Sequence, residues 1–302
     1  MKFKDYVTLG NLAGGFGSVI ALFQGSFEWA CYLIYIAYVF DILDGPAARL
    51  TKQYDSFGGF LDEVCDFVTN SIATSFIIYY AFWKLAGFPF WLAALIAFFP
   101  VAMGTIRQAR SMDNAKSYPC YWVGLPRPVL ALASLAVLNS SAFMLHLPEP
   151  WQTVKFGVLA GVLVMLSMMH VSNWVFGNHH DRRFMTGMRF GAWYFLAGSL
   201  VVWLAGLIFL GRPELVYDHL LFCFLIYMGM SWTQYSREDR RRIKVYMAGG
   251  PLIMPLVHKK SEWRSKGMAD YFEAHKRNPG PADEENRLQE AEVELGLRQA
   301  SP

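Results

Sequence analysis

Apolar residues fill most of the first 235 positions, in stretches long enough to cross a lipid bilayer. A membrane-spanning helix needs about 20 predominantly apolar residues, and eight stretches of about that length are present. They cover residues 6–24, 27–48, 61–83, 89–109, 126–146, 153–176, 190–211 and 215–234. Short connections with Gly, Pro or charged residues separate them. The pattern predicts an all-α integral membrane protein with about eight transmembrane helices.

The composition supports a membrane protein. Hydrophobic residues make up 54% of the chain and charged residues 17%, whereas a soluble domain carries about 25% charged residues. A disordered chain is excluded, since disorder needs low hydrophobicity and high charge. The net charge of +3 says little about partners, and no nucleic-acid ligand is expected. The four cysteines lie in or beside apolar stretches without CxxC spacing, which favours packed thiols over a disulfide framework or a zinc site.

The distribution of Lys and Arg predicts the orientation. Most basic residues fall in loops on one side of the predicted spans, while only Lys84, Lys155 and Arg212 fall on the other. Loops rich in Lys and Arg face the cytoplasm, so we expect both termini to be cytoplasmic. We predict a transmembrane domain over 1–235 and a charged cytoplasmic tail over 236–302. The basic run at 237–244 is expected to meet anionic headgroups, and residues 281–299 either form a surface helix or stay disordered. We expect the tail to be dispensable for turnover.

Acidic residues interrupt the second and third predicted spans. Asp41 and Asp44 share one helix face. Asp62 and Asp66 are four residues apart on the next helix, so two antiparallel helices would bring four carboxylates together. A carboxylate inside a span costs about 2.5–3.5 kcal/mol on insertion scales. Mutual repulsion adds to this cost unless the carboxylates are protonated or bind cations.

Divalent cations are one way to neutralise such a cluster. Oxygen ligands suit Mg²⁺, Mn²⁺ or Ca²⁺, and four carboxylates are enough for two ions, a known device for displacement at phosphorus. Gly45, Ala48 and Gly58 would let a nucleotide lie close to the helices, and the guanidinium of Arg49 could neutralise a pyrophosphate oxygen. A cation or proton transporter is the alternative, but transport would not require these small residues or Arg49.

The acidic stretch resembles the signature of the CDP-alcohol phosphotransferase family. That signature is D-x2-D-G-x2-A-R-x8-G-x3-D-x3-D, and every fixed position is matched. The matching residues are Asp41, Asp44, Gly45, Ala48, Arg49, Gly58, Asp62 and Asp66. The resemblance implies a membrane enzyme that moves a phosphoalcohol group from a CDP-linked donor to a hydroxyl and releases CMP. It implies that the four aspartates bind divalent metal, with Asp66 also the catalytic base, and that the other four line the CDP site. It also implies a homodimer.

Two further segments bear on the acceptor alcohol. They are similar to the R-x-A-R and G-L-P-x-P stretches of phosphatidylserine synthases. The first reads Arg107-Gln108-Ala109-Arg110, and the second reads Gly124-Leu125-Pro126-Arg127-Pro128. This similarity implies CDP-diacylglycerol as donor and L-serine as acceptor. Arg107, Arg110 and Arg127 could bind the serine carboxylate, although Arg107 and Arg110 also suit the cytoplasmic flank of a span.

Other members of the family remain alternatives. Enzymes that make phosphatidylglycerophosphate, phosphatidylinositol phosphate or phosphatidylcholine share the acidic signature. The dianionic acceptors of the first two would call for extra basic residues, including a Gly-Lys stretch after the fourth span, which this sequence lacks. Asn11 in the first span is a candidate contact of the nucleotide, or it bonds a neighbouring helix. His179 and His180 lie among arginines, with no set of partners that predicts a metal site.

Overall fold

The computed structural model describes residues 3–51, 56–112, 121–177, 199–212, 214–230, 237–251 and 281–297. Helices dominate, as the hydrophobic pattern predicts. The α-helices are α1 (Phe3–Phe23), α2 (Phe27–Thr51), α3 (Ser56–Phe67), α4 (Thr74–Tyr80), α5 (Phe90–Met112), α6 (Arg127–Leu138), α7 (Ser141–Met144), α8 (Trp151–His170), α9 (Ser199–Leu204), α10 (Glu214–Met230), α11 (Arg237–Met247) and α12 (Pro281–Glu294). Within the described ranges, three π-helical segments, Val68–Ala73, Ala81–Leu85 and Ala205–Phe209, extend α3, α4 and α9.

Four of the described helical segments are long and apolar enough to cross a membrane. They are Phe3–Phe23, Phe90–Arg110, Arg127–Met144 and Trp151–His170. Large apolar side chains such as Phe16, Phe98 and Val158 are exposed on them, as expected for surfaces that meet lipid rather than water. The chain is therefore a mostly helical membrane protein. The full set of eight spans and the position of the termini stay predictions.

Most of the described helices pack around one large core, and two small clusters lie at α11 and α12. α1 packs along α2 and also contacts α3 and the π-helical segment after it, while α5 packs against α4 and α8, and α6 against α10. The core side chains include Ile34, Ile77, Phe82, Leu135 and Leu163, all almost completely buried. The carboxylate-bearing ends of α2 and α3 are held beside α1 by this packing.

Two glycines allow α1 to lie unusually close to its neighbours. A Cβ at Gly14 would lie 2.7 Å from the Cβ of Ala37 on α2. A Cβ at Gly15 would lie 2.5 Å from Oγ1 of Thr69 and 3.0 Å from its Cα. The distances of 2.7 and 2.5 Å are below those that real Cβ atoms adopt, so only glycine permits this approach of α1 to α2 and to the π-helical segment.

The sixth predicted span is too long at its C-terminal end. The helix stops at His170, and Val175–Gly177 forms strand β2, which pairs antiparallel with β1, Tyr121–Val123. Guanidinium groups satisfy the carbonyls at this helix end, because Arg107 donates to His170 and Arg110 to Val171. We call these two strands the β1–β2 ribbon, and it adds a small antiparallel pair to a fold that was predicted as helical only.

In its described residues, 237–251 and 281–297, the charged tail has two packed helices, α11 and α12. Of the two alternatives for residues 281–299, the helix is the one observed over Pro281–Glu294. Not all of the basic run is available for lipid headgroups, since Arg241 and Arg242 pair with glutamates. Several positions lie outside the described residues: the predicted domain boundary between 235 and 236, the first part of the seventh predicted span, Cys120, Asp55, His179 and His180.

Candidate active site

Three of the four predicted aspartates converge between α2 and α3. Asp41, Asp62 and Asp66 each offer a carboxylate oxygen, and these oxygens lie within 4.8 Å of one another. Within the described part of the chain, this is the only place where three His, Cys, Asp or Glu side chains approach in this way. The i, i+4 spacing of Asp62 and Asp66 puts them on one face of α3, and Asp41 faces them from α2.

Asp44 extends the cluster toward α1. It lies within hydrogen-bonding range of Asp62, while Asp41 lies within that range of Asp66. Oδ2 of Asp44 also accepts from the hydroxyl of Thr8 at 3.4 Å. The four carboxylates therefore form two close pairs, and such pairs must share protons or cations to coexist.

The donor set fits a divalent cation. All the converging ligand atoms are carboxylate oxygens, which Mg²⁺ and Mn²⁺ prefer. Oδ1 of Asp62 is buried and has no hydrogen-bond partner among the described residues. An orphaned carboxylate oxygen is costly to bury, and a bound cation would remove that cost. The cluster could therefore hold metal.

Two amides fix the carboxylate of Asp66. Nδ2 of Asn11 on α1 donates to Oδ1 of Asp66 at 3.0 Å, and Nδ2 of Asn70 donates to the same oxygen at 3.3 Å. Asn11 was predicted as a contact of the nucleotide or of a neighbouring helix, and the observed contact is the interhelical one. Asn70 was not predicted, although its position four residues after Asp66 places it on the same face of the helix.

Arg127, at the start of α6, stands beside the carboxylates. It is close enough to Asp62 and Asp66 to interact with both electrostatically. Two residues hold it there: Nη1 donates to the carbonyl of Glu63 at 3.1 Å and to Oε1 of Gln108, and Nη2 lies 3.8 Å from Oε1 of Glu63.

Glu63 and Gln108 form a frame around Arg127. Nε2 of Gln108 donates to Oε2 of Glu63 at 2.9 Å, so one amide contacts both members of the ion pair. The sequence pattern did not predict this frame, and Gln108 was noted only as part of the R-x-A-R stretch. A pair 45 residues apart has no local pattern that would have revealed it.

Arg107 and Arg110 point to a different set of atoms. Nη1 of Arg107 donates to the carbonyls of Val123 at 2.8 Å and His170 at 3.1 Å, and Arg110 donates to Val171. These contacts tie α5 to the ends of β1 and α8. The structure therefore gives both arginines a structural function, and their binding of an acceptor stays a prediction.

The predicted nucleotide-lining residues are only partly described. Gly58 is buried in α3, one turn before Asp62. Gly45, Ala48 and Arg49 belong to α2, and their side chains lie outside the described residues.

The geometry above agrees with a comparison of the chain with known families. The sequence model of the CDP-alcohol phosphatidyltransferase family matches residues 2–177. The chain belongs to this family. The match includes the whole acidic cluster, the three arginines and the β1–β2 ribbon, whereas α11 and α12 of this family member lie beyond it.

Several curated relatives are similar to this family member. A CDP-diacylglycerol–serine O-phosphatidyltransferase from Helicobacter pylori J99 is 31% identical over 57% of this chain and 70% of its own length. One of the same name from Methanocaldococcus jannaschii is 34% identical over 43% of this chain and 56% of its own. An archaetidylserine synthase from Methanothermobacter thermautotrophicus is 34% identical over a segment that covers 26% of this chain and 34% of its own length. The aligned part of the second and third relatives is below two thirds of their length.

Proposed function

We propose that the protein transfers the phosphatidyl group of CDP-diacylglycerol to the hydroxyl of L-serine, giving phosphatidylserine and CMP. The observation that carries the proposal is the convergence of Asp41, Asp62 and Asp66 within 4.8 Å. Membership of the family supports the reaction class. The choice of serine is supported by the relatives that carry this activity in their names.

The four aspartates would hold one or two divalent cations. Bound cations would supply positive charge to the diphosphate and to the CMP leaving group. Asp41 and Asp62 contribute ligand oxygens, and Asp44 lies beside Asp62. Gly45, Ala48, Arg49 and Gly58 are proposed to line the CDP site, where small side chains leave room for the nucleotide and Arg49 contacts the diphosphate.

Asp66 is proposed as the base. It takes the proton from the serine hydroxyl while the oxygen attacks the β-phosphorus, and the bond from that phosphorus to the CMP oxygen breaks. Hydrogen bonds from Asn11 and Asn70 keep its carboxylate oriented. A single displacement inverts the configuration at phosphorus, so retention measured with a chiral phosphorothioate donor would exclude this step.

Arg127 is proposed to bind the serine carboxylate. Its position beside Asp62 and Asp66 supports this role more directly than the positions of Arg107 and Arg110, which donate to backbone carbonyls. A guanidinium is suited to carboxylate recognition because its donors match the two oxygens. Replacing Arg127 with Lys should therefore raise KM for serine more than it lowers kcat.

The site is proposed to face the cytoplasm in a multi-pass protein with both termini on that side. CDP-diacylglycerol would keep its acyl chains in lipid and its nucleotide at the boundary. The predicted homodimer can be tested by measuring the mass of the detergent-solubilised protein with light scattering.

Release of CMP by the purified protein tests the proposed reaction. The assay offers CDP-diacylglycerol with serine, glycerol 3-phosphate, inositol phosphate or choline, and repeats serine with an ether-linked donor of the archaeal type. We expect serine to give the highest kcat/KM and chelation of divalent cations to abolish release. Preference for another alcohol would overturn the acceptor assignment alone, whereas no release with any alcohol would overturn the reaction class.

A further inference from the structure

The β1–β2 ribbon rests against α11, which lies outside the family match. Tyr121 and Val175 of the ribbon pack against Ile243, and all three side chains are buried. Beside them, the hydroxyl of Tyr121 donates to Oδ2 of Asp239 at 3.3 Å. Asp239 is completely buried, and a carboxylate enclosed in this way needs hydrogen bonds to compensate for its lost hydration. The contact therefore joins α11 to the ribbon at a fixed place.

A second contact holds α11 against α12. Nε and Nη2 of Arg241 donate to the two oxygens of Glu292 at 2.5 and 2.7 Å, and Nη1 donates to Glu285 at 2.9 Å. Val245 of α11 packs against Leu288 of α12, and both are buried. A bidentate guanidinium–carboxylate pair has a specific geometry, so it fixes how the two helices dock.

The titration of these groups agrees with that docking. Hydrogen bonds with Glu292 raise the pKa of Arg241 above its usual range. Hydrogen bonds from Gln289 and from Arg241 lower the pKa of Glu285. Both shifts favour the charged forms of the two side chains, in agreement with the docked pair of helices.

The ribbon needs this support because it is small. Each strand has three residues, and an isolated two-stranded pair is marginally stable at best. Trp122 and Phe176 pair across the strands and pack on the main core. The alternation of side chains turns Tyr121, Val123 and Val175 the other way, onto the face that α11 covers.

The ribbon in turn leads directly to the carboxylate cluster. Gly124 follows β1 with φ of +78°, a conformation that favours glycine, and its N–H donates to the carbonyl of Trp174 at 2.6 Å. A Cβ at Gly124 would meet the carbonyl oxygen of His170 and lie 2.9 Å from Nη1 of Arg107. This tight turn delivers the chain to Arg127, three residues later.

We propose that α11 and α12 form a C-terminal clamp that fixes the β1–β2 ribbon and, through it, the position of Arg127 beside the carboxylate cluster. The positioning residues in this arrangement are Tyr121, Asp239, Arg241 and Ile243. The clamp itself stands on the contacts above, and only its effect on the acceptor rests on the proposed function. It also makes the tail necessary for efficient turnover, contrary to the expectation from sequence.

Hydrogen exchange of the full-length protein in detergent tests the clamp without any substrate. In Arg241→Glu, repulsion from Glu285 and Glu292 opens the helix pair, and amides of residues 121–127 and 175–177 should lose protection while α1 and α2 keep theirs. Lys244→Glu makes the same charge change at an exposed position of α11 and should leave the ribbon protected. Unchanged ribbon protection in Arg241→Glu would overturn the clamp.

Steady-state kinetics tests the effect on the acceptor. Arg241→Glu should raise KM for serine about tenfold, the scale of one lost charge-assisted hydrogen bond, with a smaller change in kcat and in KM for the donor. The double variant Arg241→Glu with Glu292→Arg should restore part of the loss. If Arg241→Glu does not fold, Glu292→Gln gives the same comparison with a smaller change of charge.

The outcomes separate the two proposals. Loss of ribbon protection together with a change confined to the acceptor KM supports positioning through the ribbon. Loss of protection with kinetics unaltered would overturn positioning and leave the proposed reaction intact. If the wild-type protein uses another alcohol, the same comparison is made with that acceptor, so failure of the serine assignment does not decide the fate of the clamp.

Discussion

Asn11 and Asp66 are 55 residues apart in the chain, yet Nδ2 of Asn11 donates to Oδ1 of Asp66 at 3.0 Å. This bond joins α1 to α3 directly at the carboxylate cluster. It depends on the close approach that Gly14 and Gly15 permit. A residue in the first helix therefore orients the side chain that we propose as the base.

Replacing Asn11 with Ala should impair catalysis more than stability. Losing a hydrogen bond to a charged group costs about 1.5–3 kcal/mol, so kcat should fall by about ten- to a hundredfold. Steady-state assays of CMP release give the measurement. Asn139→Ala is the control, since Asn139 is also buried but bonds Cys31 and the carbonyl of Leu135. It should lower the Tm and leave kcat unchanged, and an equal loss of kcat in both variants would contradict the role of Asn11.

Asp62→Asn and Asp66→Asn should abolish turnover while the protein still inserts into membranes. Each change removes one charged ligand oxygen from the cluster, so affinity for Mn²⁺, followed by electron paramagnetic resonance of the free ion, should also fall. Asp55→Asn removes the same charge at a variable position of the signature and should be nearly silent. Substantial activity in Asp66→Asn would exclude that residue as the base.

Gly15→Ala should destabilise the fold. The added methyl group would lie 2.5 Å from Oγ1 and 3.0 Å from Cα of Thr69, and overpacking of this kind costs about 1–3 kcal/mol. Thermal unfolding in detergent measures the effect. Gly161→Ala is matched to it, because Gly161 is also inside a long helix but has no atom within 4 Å of the added methyl group. Equal Tm values for both variants would show that α1 does not approach as closely as described.

Acid should open the C-terminal helix pair. The pKa of Glu285 is lowered from its usual 4.5, first by the hydrogen bond from Gln289 and then by that from Arg241. A group with a lowered folded-state pKa stabilises the fold fully above its unfolded pKa, and this contribution is lost as pH falls through the folded value. Amides of α12 should therefore lose protection below about pH 4.5, after correction for intrinsic exchange rates.

Two substitutions in α12 check this dependence on pH. Glu285→Gln removes the titrating group and should make the transition shallower. Glu290→Gln changes an exposed residue of the same helix and should leave the transition as in the wild type. A transition that is equally steep in all three proteins would assign the effect to other groups.

The helical nature of the protein and its acidic cluster could be predicted from sequence because both follow from local spacing. Apolar stretches of spanning length predict helices, and the aspartates at i, i+3 and i, i+4 predict shared faces. The family signature adds the reaction class from residues 41–66 alone. The sixth predicted span, 153–176, overran its helix, which ends at His170, where arginines from α5 bond the last carbonyls.

Residue type and spacing by themselves thus determined a membrane-embedded helical enzyme of one family and the carboxylates at its candidate centre. The tertiary structure decided which side chains surround them. Arg127 lies within electrostatic range of the carboxylates while Arg107 and Arg110 bind backbone carbonyls, although all three looked alike in sequence. It also decided that the tail reaches the ribbon through Asp239. Contacts between residues 45 to 118 positions apart depend on how whole helices pack, and local sequence patterns do not encode that packing.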